Sequence, residues 1–79
     1  MSTVTEEIIT RAAAQASVEL GDSAGRVADL VQGSLPEVED EGYTRDDIAY
    51  ELDAALTEVG VTFSTDQMWE MAAVVCNLI

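Results

Sequence analysis

The chain has 79 residues, with sixteen Asp and Glu against three Arg, no Lys and no His, for a formal net charge of −13. Its length supports a single domain, residues 1–79, and its 48% apolar content is too high for a disordered tail. Arg11, Arg26 and Arg45 are too few and too scattered to face a phosphate backbone, which excludes direct binding to nucleic acid or to an anionic membrane; without His, Ser–His and Cys–His catalysis is excluded too.

The first segment, "STVTEEIITRAAAQASVELG", predicts a helix over about 3–20. Thr3 and Glu6 have capping-box spacing, and Glu6 and Glu7 sit where the helix dipole favours negative charge. Ile9, Ala13, Ala16 and Leu20 recur at helical spacing, three successive alanines suit a close helix–helix approach, and Gly21 supplies a stop. A shorter helix is expected over 23–33, capped by Asp22 or Ser23, with Val27, Leu30 and Val31 as its apolar stripe and Gly33 at its end. Gly25 in its first turn weakens it.

"SLPEVEDEG" then reads as an acidic loop, with Leu35 and Val38 as possible anchors to the core. Two helices follow with the same opening device. "YTRDDI" sets Thr44 as cap, Asp47 three residues on, and Tyr43 with Ile48 as a hydrophobic staple; "FSTDQM" does the same with Ser64, Gln67, Phe63 and Met68. These predict helices over 44–59 and 64–78. The third buries Ile48, Leu52, Ala55, Leu56 and Val59 and stops at Gly60. The fourth is apolar most of the way round, which places it at the centre of the fold or against another chain. The expected architecture is an all-α, compact four-helix domain, with the last helix central and the acidic loop between helices 2 and 3.

Little in this sequence carries catalytic or metal chemistry. Aligned on Glu37, the acidic loop places Glu39, Glu41 and Gly42 at the third, fifth and sixth positions of a calcium-loop pattern, but its twelfth position is Ile48 where a bidentate Glu is required. General acid work needs a carboxyl inside an apolar pocket. Only Glu70 lies within an apolar run, and helical spacing turns it outward. No metal, no cofactor and no enzymatic activity are expected. Cys76 forms no intramolecular disulfide and reads as a small core residue, which suits a reducing compartment. No basic segment precedes an apolar stretch at the N-terminus, so a cytoplasmic protein is expected.

The acidity itself has two readings. It serves solubility in a Lys-poor lineage, or it meets a basic partner. Along the third helix, Asp47, Glu51 and Glu58 share one flank, and Asp46, Tyr50 and Asp53 the other. Carboxylates at i and i+4 stand about 6 Å apart along a helix axis, comparable to, without matching, the roughly 3.4 Å between phosphates of one DNA strand. The expected function is a non-enzymatic binding protein that occupies the basic, nucleic-acid-binding surface of a larger protein. Phage-encoded inhibitors of host defence nucleases, anti-CRISPR proteins among them, are a class-level analogy. Glu37, Glu39, Asp40, Glu41, Tyr43, Tyr50, Glu51, Asp53 and Glu58 are the expected contact residues. The alternative is a homo-oligomerisation module in which Trp69 and Met71 of the fourth helix carry the contact.

Overall fold

In a computed structural model of the chain, which describes residues 4–35 and 44–79, Thr5 opens the first helix. α1 spans Glu6–Ala16. Thr5 is extended and its Oγ1 accepts the Ile8 N–H at 3.3 Å. The cap therefore falls two residues later than the Thr3 spacing predicts; Thr3 itself lies outside the described residues. The helix also stops earlier than Gly21. Ser17 adopts the left-handed conformation (φ 60°), its N–H donates to Ala14 O, and the Val18 N–H donates to Ala13 O at 2.9 Å. That pair of bonds is a Schellman motif. The physical reason is Val18. On a continued helix it would stand about 180° from Ile9, facing water. After the early stop it is buried with Ile9, Ala12, Ala13 and Ala16.

The chain then passes through a 3₁₀ turn, Gly21–Ser23, into α2, Ala24–Ser34. This corrects the expected cap. Ser23 is already right-handed helical, and neither end of the turn is closed by a side chain, because the turn feeds straight into the helix. Leu20 packs against the core from the connection rather than from α1. Gly33 does not end α2, which runs on to Ser34 and stops at Leu35 with extended backbone (ψ 136°). Pro36 is next in the sequence, and the residue before a proline is driven out of the helical region. Leu35 is half-buried against the core as expected.

Helices α3 (Arg45–Glu58) and α4 (Thr65–Leu78) start where their sequence devices place them. Both capping boxes are formed: Asp47 N–H to Thr44 Oγ1 and Thr44 N–H to Asp47 Oδ2, each at 3.2 Å, then Gln67 N–H to Ser64 Oγ at 3.1 Å and Ser64 N–H to Gln67 Oε1 at 2.8 Å. α3 closes on Gly60 (φ 78°), with Gly60 N–H bonded to Thr57 O and Val61 N–H to Leu56 O, a second Schellman motif.

The four helices form a ring. α1 packs on α2 and α4, and α3 packs on α2 and α4, while the backbones of the diagonal pairs stay apart. The radius of gyration, 11.1 Å, is that of a compact globule; about 12 Å is usual at this length. This is the all-α four-helix domain the sequence predicts, with one correction: α4 is a corner of the ring and not its centre. Met68, Met71, Ala72 and Val75 are buried, but the opposite strip, Asp66, Glu70 and Asn77, is exposed. The fourth helix has a polar outer face that its composition hides. Ile9, Val27, Val31, Ile48, Leu52, Leu56, Met71 and Val75 are the largest fully buried side chains, and together they fill the space inside the ring. Ala12 and Ala72, both at 0% exposure on adjoining helices, fit the close approach that the alanine run implies.

Two backbone positions lend themselves to opposite substitutions. Gly25 is helical, and the nearest atoms a Cβ there would meet are those of the Glu6 carboxylate, from 3.5 Å, an ordinary contact. Gly25→Ala is therefore expected to add about 0.5–1 kcal/mol of stability. Ser17 is left-handed, so Ser17→Gly is expected to add a similar amount. Urea denaturation checks both; a loss at either position would contradict the backbone conformation described.

Candidate partner-binding surface

The expected contact residues divide into two groups. Glu37, Glu39, Asp40, Glu41 and Tyr43, with the Tyr43 half of the first staple and Val38, lie outside the described residues. Tyr50, Glu51, Asp53 and Glu58 are all on α3, and their arrangement is visible.

The capping box starts α3 at Arg45, which fixes the rotation of everything after it. Ile48, Ala49, Leu52, Ala55 and Leu56 turn into the ring. The acids are left outside, on two flanks. Glu51 and Glu58 line a shallow groove of about 190 Å³ against α2, together with Leu30, Ser34 and Ala54. Asp46, Tyr50 and Asp53 line a larger one of about 350 Å³ against α4, floored by Ala49, Met68 and Trp69. The two flanks read from the sequence thus border two separate grooves, one on each side of the α3 ridge, except that Asp47 lines neither and is taken up by the capping box. Each carries carboxylates seven residues apart, Asp46 with Asp53 and Glu51 with Glu58, about 10.5 Å along the axis.

Asp46, Asp53 and Glu58 are exposed, and Glu51 and Asp47 are half-exposed. Among the described residues no polar or charged side chain is buried, and no group of three His, Cys, Asp or Glu could hold a metal ion. Ile48, at the twelfth position of the failed calcium pattern, is fully buried in the core. The acids are not confined to α3. Glu6, Glu7, Glu19, Asp22, Asp29, Asp66 and Glu70 are also exposed, so the surface is acidic broadly and densest along α3.

Tyr50 is 76% exposed, the most exposed large apolar side chain among the described residues. Trp69, across the groove, is half-buried, and the Arg45 guanidinium lies 5.4 Å from its ring centroid. A cation over a tryptophan face is attracted by the ring quadrupole. Arg11, by contrast, pairs with Glu7 one turn away at 3.4 Å in full view of solvent, where such pairs contribute little. The sequence reading misses the part α4 plays in the groove: it gives Met68 to the staple with Phe63 and Trp69 to an oligomer contact. The available signal was the fixed start at Ser64, which sets the rotation of Trp69 as firmly as Thr44 sets that of Tyr50.

The apolar border of α4 splits in the same way. Trp69 faces the α3 side, whereas Val74 and the 43% exposed Leu78 meet Arg11, Ala14 and Gln15 on the α1 side. Met71 is fully buried and Cys76 half-buried. Among the described residues no helix is long and apolar enough to cross a membrane. Compared with known protein families, with curated proteins and with solved structures, the chain finds no match in any of the three.

Proposed function

We propose that this protein is a non-enzymatic, cytoplasmic acidic binder that occupies a basic, nucleic-acid-binding surface of a larger protein, as phage-encoded inhibitors of host defence nucleases do. The observation that carries the reading is α3. It presents Asp46, Asp53, Glu51 and Glu58 outward along two flanks, in a chain of net charge −13. The axial repeat of about 10.5 Å within each flank is close to three phosphate steps of one DNA strand, roughly 10 Å. Carboxylates so placed neutralise the cations that a phosphate backbone would meet, and complementary charge of this kind accelerates encounter and selects the partner. The Glu37–Glu41 segment leads into α3 in sequence and extends the same acidic character.

Assembly through the fourth helix has less to rest on. Met71 is inside the core, Trp69 lies under Arg45, and the outward strip is polar.

The reading is tested by capture from lysate of the native host with duplex DNA as competitor. The expected result is retention of nucleic-acid-binding proteins that is lost on raising salt or adding DNA, and weakened at least about tenfold in a quadruple variant Asp46→Asn, Glu51→Gln, Asp53→Asn, Glu58→Gln. Binding that is unchanged from low to high ionic strength would end the proposal.

A further inference from the structure

The groove between α3 and α4 differs from the rest of the acidic surface, because its floor is aromatic and apolar while its rim is charged. Asp46 and Asp53 flank Tyr50, one turn before it and one turn after it, and Ala49, Met68 and Trp69 form the floor. The groove is open to solvent along its length, so it suits a side chain presented by a larger body better than an enclosed small molecule. Its chemistry selects among cationic side chains. Guanidinium is planar, stacks on aromatic faces and bridges carboxylates with a fixed fork of donors; ammonium is a compact, strongly hydrated point charge. The protein already uses the first combination once, with Arg45 over Trp69. Tyr50 offers a comparable ring, 76% exposed, and among the described residues no cation stacks on it.

We infer that this groove is an arginine-recognition site: an arginine of the basic partner stacks on Tyr50 and is held between the Asp46 and Asp53 carboxylates. The inference rests on the binding function proposed above and names which residue of the partner's basic surface is read and where. A lysine-rich surface of equal charge would be attracted to the protein as a whole without preference for this groove.

The test uses the intact protein with octa-arginine and octa-lysine peptides at low ionic strength, followed by amide chemical shifts and Trp69 fluorescence. Octa-arginine is expected to bind at least about fivefold more tightly than octa-lysine, with shifts centred on Asp46–Asp53 and Trp69. Tyr50→Ala, which alters no charge and no buried side chain, is expected to weaken octa-arginine more than octa-lysine and so remove that preference, with the helical circular dichroism unchanged. Asp46→Asn with Asp53→Asn should weaken octa-arginine more than Glu51→Gln with Glu58→Gln, although both pairs remove the same charge. Equal affinities for the two peptides, an unaffected Tyr50→Ala variant, or equal weakening by the two pairs would overturn the arginine site and leave the acidic binding function standing. Failure of both peptides to bind at low ionic strength would overturn both.

Discussion

Leu52→Ala is expected to cost about 2–5 kcal/mol of folding stability, the range for truncating a buried leucine. Leu52 is at 0% exposure on the inner face of α3, within the core enclosed by the ring of helices. The total stability of a domain this size is about 4–12 kcal/mol, so one substitution removes a large share of it. Each kcal/mol shifts the Tm of such a domain by roughly 4–8 °C, giving a drop of about 8–40 °C. Ala54→Gly on the exposed side of the same helix supplies the scale for a propensity effect, about 1 kcal/mol. Thermal and urea unfolding of the two variants check the difference. If Leu52→Ala lost no more than Ala54→Gly, the helix rotation on which the acidic flanks depend would be wrong.

That rotation was legible in the sequence wherever a start signal and an apolar period agreed. Thr44 with Asp47 and Ser64 with Gln67 are local devices, settled by contacts three residues apart, and both formed. The N-terminal half was less legible because its boundaries are decided by tertiary burial. Gly21 is the better residue for a helix stop, yet Ser17 takes that role because Val18 must reach the core. Gly33 looks like an end and is not one, since its Cβ-less backbone is tolerated inside α2 while Pro36 sets the stop. The fourth helix was misplaced for a compositional reason. Its apolar residues outnumber its polar ones, but Asp66, Glu70 and Asn77 are all on one side, and the direction of the polar minority decides which face meets water.

The candidate site was legible by half. Spacing alone put Asp46, Tyr50 and Asp53 on one flank and Asp47, Glu51 and Glu58 on another, and all but Asp47 line the corresponding groove. What spacing along one helix does not reveal is the neighbour. The α3–α4 groove exists because Trp69 of α4 stands opposite Tyr50, a relation between elements more than ten residues apart in the chain. Arg45 adds to this: a residue that reads as one of three stray cations turns out to lie on the tryptophan ring.

Gln67 joins the two halves of the fold, and Gln67→Glu is expected to destabilise the protein by about 1–3 kcal/mol. From the local device alone this change should be neutral or favourable, since Glu is as good as Gln at the third position of a capping box and its charge suits a helix N-terminus. The other end of the side chain reverses that expectation. The Gln67 Nε2 donates to Ala16 O at 3.2 Å and to Ser17 O at 3.3 Å, the carbonyls at the C-terminal end of α1. A carboxylate keeps the cap acceptor, loses both donations, and brings negative charge to the negative end of the α1 dipole. Asp47→Glu is the matched control. It occupies the same position in the capping box of α3, makes no hydrogen bond to another helix among the described residues, and should stay within about 0.5 kcal/mol of the parent. Urea denaturation of the pair separates a local cap from a bridge between helices. If both variants fell within that narrow range, the α1–α4 junction would not depend on Gln67, and apolar burial alone would hold the two helices together.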